Sequence, residues 1–494
     1  MSSARPFDPT DPQSILSFGR RVIGLTARQI CSLAGRGDPS ERPGWRGTKS
    51  VLGDVMEWYF GIPKNNSREP DFPLAKVELK VVPLKHKKRE LAIKEPTTIS
   101  MIDYMTLVDE SWNTASVRKK LDHILFVFYS IRTEDILSSR VRDVVLWQPS
   151  PADRIVFEAD WMRARERVER GEAHLLSESQ ADALAARRKG PGGPNERGRP
   201  QPRNPTLAKS RAWALKTGFT RQILEEWVLH KPFESAIEPA PSTLPIPLIS
   251  HIQERVTQAL GPFVGHTLAD LAARHGIPLS DRKNLAANIV KRALGFKSVN
   301  SRIREFDQFG IQVRTLYLRA EDGRPYEAVS FPAVDLRDLV DQDWEGTEDA
   351  DGKVVREGCD LAEQLHLLLF VPTYSARRDS PQQTRILGRP FFWAPSPEQL
   401  QVIRQEWEMY RREVSEGGAA YVLIPGKKVR RSQLTPATRT IAIHMRPHGR
   451  NSKDTYLDPK GNRVTKLSFW LNTDFVWRLV KENGAFPPPS LVAV

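Results

Sequence analysis

Apolar residues near the start of the chain fall at helical spacing in two runs, LTARQICSLAG (25–35) and KSVLGDVMEWYFG (49–61). The second run stops on glycine, a common helix terminator. The pattern then changes to alternation in EPDFPLAKVELKVVPL (69–84), which predicts a strand, a short turn and a second strand over VELKVV. This order returns later in the chain. HTLADLAARHGIP (266–278) and KNLAANIVKRALG (283–295) repeat the helical spacing, and IREFDQFGIQVRTLYL (303–318) repeats strand-turn-strand, with IQVRTL as the second strand. Lys49 and Lys283 lie 234 residues apart, and so do Glu78 and Gln312. RAWALKTGFTRQIL (211–224) is matched by LSFWLNTDFVWRLV (467–480), 256 residues on, which implies insertions in the later copy.

A constant displacement over successive elements predicts two copies of one α/β domain. Between them lies KPFESAIEPAPSTLPIPL (231–248), too rich in proline for a long helix or a central strand. The expected organisation is a first domain over 1–230, a linker over 231–248 and a second domain over 249–494. A further Pro/Gly/Arg-rich stretch, 187–205, reads as a mobile basic loop within the first domain.

Charge narrows the partner. The 494 residues hold 74 Lys and Arg against 60 Asp and Glu, a net charge of +14 that suits a polyanion such as nucleic acid. Two cysteines, Cys31 and Cys359, argue against a disulfide framework or a thiolate zinc site and fit a reducing cytoplasm. The sequence shows no apolar leader, no membrane-length apolar run and no glycine-rich nucleotide loop. We therefore expect a cytoplasmic protein with neither a membrane nor a nucleotide cofactor as partner. Trp147, Trp161 and Trp393 read as core, and Trp112 and Trp213 as lying near a DNA-facing side.

The alternating segment carries the chemistry. Glu78 and Lys80, two apart on a strand, point to one face, and the turn over Pro73–Lys76 can bring Asp71 beside them. Two converging carboxylates make a hard-oxygen site suited to Mg²⁺, as metal-assisted phosphodiester hydrolysis requires. The same alternation also describes a half-buried strand with a charged, solvated face. Glu57, one turn after Gly53 on the preceding helix, can add a carboxylate, and Lys120, just before the apolar run HILFVF, can reach a phosphate. In the later copy Glu57 becomes Lys291, Asp71 becomes Glu305, Glu78 becomes Gln312 and Lys80 becomes Arg314. A cation site does not survive these exchanges, while positive charge there still favours phosphate.

KSVLGDVMEWYFG with EPDFPLAKVELKVVPL, SVRKKLDHILFVF (116–128), LWQPSPADRIVFEADW (146–161) and RAWALK resembles the MutH family of GATC endonucleases, with the PD-(D/E)xK nuclease fold. The two-copy layout resembles the Sau-type restriction endonucleases. The resemblance implies tandem MutH-like domains, each a mixed central sheet flanked by helices, with the second catalytically degenerate. It implies Asp71, Glu78 and Glu57 as ligands of Mg²⁺, Lys80 as the motif lysine and Lys120 as a further essential lysine. Lys49 matches the lysine opening the family's KGxxG-like helix, although Ser50 stands where that motif has glycine. IHMRPHGRNSKDTY (443–456) resembles the family's DNA-recognition segment, giving Arg446, His448, Arg450, Asn451 and Lys453 as candidate DNA contacts. Arg187 and Lys189 are the looser counterparts in the first half. A lone arginine of this kind can equally touch only phosphate.

The implied activity is that of a type II restriction endonuclease cutting double-stranded DNA, with GATC expected as the site and cleavage 5′ to the G. A cognate DNA methyltransferase is expected in the host, and the protein is expected to be a monomer able to dimerise on DNA. The alternatives are a MutH-like mismatch-repair nicking endonuclease and a DNA-binding regulator without cleavage.

Overall fold

The computed structural model describes residues 6–41, 50–63, 67–87, 90–132, 135–190, 198–231, 233–234, 248–279, 285–297, 302–348, 354–423, 430–449, 451 and 454–486. Lys49, Arg450 and Lys453 lie outside the described residues.

In the N-terminal half, helix α1 (Ser50–Phe60) buries Val51, Leu52, Val55, Met56 and Phe60, a stripe on one face. It ends at Gly61, whose φ of +67° is the left-handed conformation that a side chain resists. Strand β1 (Glu78–Lys87) pairs antiparallel with β2 (Glu90–Ile93). A second sheet begins with β3 (Thr97–Met101). Helix α2 (Ser116–Leu121) then leads into β4 (Ile124–Ser130), which runs parallel to β1 and antiparallel to β5 (Arg140–Trp147). Six of the seven residues of β4 are buried, as expected of a strand covered on both faces. Helix α3 (Pro151–Glu169) starts with a capping box, Ser150 and Asp153 bonding each other's backbone. The second sheet is completed by β6 (Leu184–Arg188) and β7 (Arg211–Leu215), with β7 in the centre. The Asp160 carboxylate of α3 accepts hydrogen bonds from the N–H groups of Asp182, Ala183 and Leu184, tying helix to strand at 2.8 Å each.

A parallel strand pair and a three-stranded antiparallel sheet also occur in the C-terminal half. Helix α4 (Leu285–Ala293) precedes β8 (Ile311–Arg319). Then come β9 (Val329–Val334), β10 (Leu367–Ser375), β11 (Phe391–Trp393), helix α5 (Pro397–Ser415), β12 (Ile443–Pro447) and β13 (Leu467–Leu471). Strand β10 is parallel to β8 and antiparallel to β11, and β13 lies between β9 and β12. Gln312 pairs with Leu368 in the same parallel ladder position that Glu78 takes opposite Ile124. Helix α5 opens with its own capping box, and its Glu406 accepts from the N–H groups of Ile441, Ala442 and Ile443, as Asp160 does in the first half.

Some local expectations are corrected. Arg304–Gln308 is a helix rather than a strand, stopped near Gly310 at φ +63°. The basic stretch expected to be a loop contains a hairpin, Arg199–Gln201 with Asn204–Ala208. Within the expected linker, Phe233–Glu234 pairs with Arg302–Ile303. Trp213 is buried in the core at 3 % exposure, and Trp112 packs against that core beside Trp161, so neither is an open DNA-facing ring. One apolar cluster joins the halves, running from Phe219, Ile223 and Leu224 to Ile252, Phe306 and Ile311. No described helix is long and apolar enough to cross a membrane.

Candidate active site

The turn before β1 does what the alternating pattern requires. Phe72 and Val77 bridge antiparallel, and Lys76 adopts φ +55°, which folds the chain back within four intervening residues. Both bridge residues are buried, so the apolar pair fixes the turn while Asp71 and Glu78, just outside it, are brought together. The Asp71 N–H donates to Glu78 Oε2 at 3.2 Å, and the Leu79 N–H donates to Asp71 Oδ2 at 2.9 Å.

Two lysines complete the cluster from different elements. Lys80, on the same face of β1, places Nζ 2.7 Å from Glu78 Oε1. Lys120, in the last turn of α2, places Nζ 3.2 Å from the same oxygen and is itself buried. Helix α2 feeds straight into β4, and the Glu78 N–H donates to His123 O at 2.9 Å, so strand pairing sets the Lys120–Glu78 distance. Glu78 is 1 % exposed; a carboxylate so deep needs both ammonium groups.

Asp71 is the strained member. Burial raises its carboxyl pKa above the ordinary range, and repulsion by Glu78 pushes the same way, against Lys80, the Leu79 N–H and Lys120. A cation between the two carboxylates relieves both penalties. Two carboxylates suit Mg²⁺, which keeps most of its own hydration and is held by one or two protein carboxylates. Glu57 sits half-buried on α1, which packs against β1. It does not join Asp71 and Glu78 in a three-ligand set: among the described residues no three acidic, His or Cys side chains gather to hold a metal.

The corresponding place in the C-terminal half is chemically different. Arg314 Nη2 donates to Gln312 Oε1 at 2.6 Å, and burial pulls the guanidinium pKa down. Gln364, four residues before Leu368 as Lys120 is before Ile124, is neutral. Glu305 is buried at the end of the helix that replaces the tight turn.

The candidate DNA contacts divide. Arg446 is exposed, with its guanidinium 3.7 Å from the Trp470 ring centroid; His448 is exposed, bonds Ser468 Oγ at 2.7 Å and packs on the same indole. Asn451 is exposed. Lys189 is half-buried, with its N–H on Ser210 O. Arg187 is placed otherwise than expected: it is buried, donates to Pro96 O at 3.1 Å and lies 4.0 Å from both Glu95 and Glu178, so its guanidinium is not free for DNA. The side chains missed from sequence are those acting through space on these, above all Glu95, Glu178 and Trp470, none of which stands in a recognisable motif.

The PD…ExK cluster thus stands buried at the start of a strand in a mixed sheet. The family described as DNA mismatch repair enzyme MutH matches residues 60–160, which hold the whole cluster. The type II restriction enzyme Sau3AI of Staphylococcus aureus is 25% identical over 469 residues, covering 88% of this chain and 93% of that protein. The DNA mismatch repair protein MutH of Vibrio cholerae (serotype O1, strain M66-2) is 27% identical over 226 residues, covering 44% of this chain and 97% of its own length. That of Vibrio campbellii is 25% identical over 222 residues, with 44% and 94% covered. The chain is thus similar to a type II restriction enzyme over most of its length and to MutH mismatch repair proteins over its N-terminal half.

Proposed function

We propose that the protein is a site-specific endonuclease that hydrolyses phosphodiester bonds of double-stranded DNA with Mg²⁺, from one centre in the N-terminal half. GATC is the expected site, with cleavage 5′ to the G, and the biological role is restriction, in a cytoplasm that also holds a cognate methyltransferase. The two halves are read as tandem copies of one domain, 1–230 and 249–494, the second without catalysis and used to hold DNA. The observation that carries the reading is the convergence of Asp71, Glu78, Lys80 and Lys120 beside the neutral and cationic Gln312, Arg314 and Gln364 at matching positions.

Asp71 and Glu78 would hold the cation. When bound, it supplies positive charge to the scissile phosphate and lowers the pKa of water. The chain's own groups act around it. Two carboxylates against two ammonium groups are already balanced, so a divalent ion leaves the site net positive, ready for a phosphodiester. Lys80, the more exposed of the two lysines, is placed to orient the attacking water and to take up charge on the phosphate. Lys120, deeper, pairs with Glu78 and fixes its rotamer. Arg446, pre-oriented against Trp470, offers its donors for bidentate pairing with guanine.

Similarity to a restriction enzyme along most of both chains supports double-strand cleavage. A second reading, nicking of the mismatch-repair kind, is favoured by the MutH match, which falls wholly on the half with the Asp71/Glu78 cluster, and by the neutral Gln312 at the matching position of the other half. One centre cuts one strand per encounter, so double-strand cleavage needs two chains or two visits. Incubating the purified protein with unmethylated supercoiled plasmid and Mg²⁺ separates the readings. Discrete linear fragments with GATC ends support restriction, accumulation of open circles alone supports nicking, and binding without cleavage in any divalent metal contradicts both.

A further inference from the structure

The halves meet in two chemically distinct ways. On one side they share the apolar cluster around Phe219 and Phe306. On another, a single carboxylate of the C-terminal half, Glu345, enters a group of three cations of the N-terminal half. Lys209 Nζ lies 3.0 Å from Glu345 Oε2, Arg188 Nη1 lies 4.0 Å from the same oxygen, and Arg211 Nη2 lies 4.0 Å from Oε1.

The cations are grouped by the fold. Arg188 and Arg211 are directly opposed on β6 and β7, an arrangement that like charges destabilise unless an anion lies between them. Arg211 is 2 % exposed, its Nη1 donates to Ala186 O at 2.8 Å, and its buried Nε has no partner among the described residues. The carboxylate is presented just as firmly. Trp344 anchors the tip in the second apolar cluster against Trp407. Gly346, at φ +73°, holds a conformation that a side chain resists, and a Cβ there would press on Gly358 N at 3.2 Å. Arg211 and Lys209 outweigh the effect of burial and hold the Glu345 carboxyl below its ordinary pKa.

Lys209 and Arg211 meet at this one carboxylate of the C-terminal half, with Arg188 4.0 Å from it, in a chain of net charge +14. The matching ladder end in the C-terminal half, Pro447 opposite Leu467, carries no charge, so the group is peculiar to the half with the catalytic cluster. It lies on the same strand as Arg187 and next to Lys189. We propose that Arg188, Lys209 and Arg211 form a backbone-phosphate site for duplex DNA, which Glu345 fills when DNA is absent. This rests on the nuclease reading. A DNA phosphate then replaces the carboxylate, and the ionic side of the seam opens while the apolar side, which salt and phosphate do not weaken, holds the halves together. Free protein is thereby kept in a conformation that binds DNA less well, and part of the binding energy is used to release Glu345.

The test measures binding of the full chain to a short fluorescent duplex without divalent ions, from roughly 50 to 200 mM salt. Glu345→Gln should bind about tenfold tighter at low salt, since no binding energy is used to release a carboxylate, with the log–log salt slope unchanged because the phosphate contacts are the same. Adding Lys209→Ala to that variant should remove the gain and make the slope shallower by about 0.9, and Lys209→Met serves equally if the alanine variant does not fold. If Glu345→Gln melts at lower temperature but binds DNA with unchanged affinity, Glu345 is only a structural tie and the proposal fails while the nuclease reading stands. If the wild-type chain does not bind duplex at low salt, both fail.

Discussion

Strands β1 and β8 occupy the same place in two sheets of like topology and have opposite chemistry. In β1 the ladder position opposite Ile124 holds a buried carboxylate clasped by Lys80 and Lys120. In β8 the same position holds Gln312, bonded to Arg314. Strands β6 and β12 show the reverse contrast. Arg187 opposite Ala212 and Arg446 opposite Ser468 are equivalent in register, yet Arg187 is pinned inside by Glu95 and Glu178 while Arg446 lies open on Trp470. The backbone decides where a side chain begins. Partners from elsewhere in the sequence decide whether it holds a cation, reads a base or only ties the fold.

The largest expected effect bears on the first contrast. Glu78→Gln should reduce plasmid cleavage by on the order of a thousandfold or more, while Gln312→Glu should leave the rate within about twofold of wild type, both measured as initial rates in Mg²⁺. Lys120→Ala should lower the rate by about a hundredfold, since it leaves the buried Glu78 with one cation, whereas Gln364→Ala should not change it.

The second contrast predicts different readouts for two equivalent arginines. Arg187→Ala should destabilise the protein by about 3 kcal/mol in denaturant unfolding, because two carboxylates near it lose a buried partner. Arg446→Ala should barely alter stability but weaken discrimination between a GATC duplex and a scrambled one by about 1–3 kcal/mol. Loss of discrimination from Arg187→Ala at unchanged stability would reverse the assignment of the two.

A small effect on stability is expected at Asp71. Its folded-state pKa is raised, so the group favours folding when protonated, and that contribution is lost as pH rises through the raised pKa. At neutral pH without metal, Asp71→Asn should therefore raise the melting temperature slightly while abolishing cleavage. The gain should shrink below the raised pKa, where wild-type Asp71 is itself neutral, and added Mg²⁺ should stabilise only the wild type.

Much of this was readable along the chain because it is written in short-range periodicity. The helices ending at Gly61 and Gly295, the strands opening at Glu78 and Ile311, and the 234-residue displacement all follow from it. The turn that joins Asp71 to Glu78 was readable because it spans few residues, and Lys120 because it precedes an all-apolar strand. The helix over Arg304–Gln308 was not, because five residues with one apolar position, Phe306, satisfy either period. The burial of Arg187 and the meeting of Glu345 with Lys209 depend on partners distant in sequence, about which local pattern carries no information. Glu57 shows the same limit: a well-placed helix position did not bring its carboxylate into a metal-holding set.

The central claim is that one cluster, in the N-terminal half, does all the cutting. The most direct test is cleavage of supercoiled plasmid by the full chain carrying Glu78→Ala, with DNA binding measured on the same preparation. The account predicts intact binding and no linear or open-circular product above the no-enzyme control. Cleavage at a rate near that of the wild type, abolished only by a further change at Gln312 or Arg314, would contradict it.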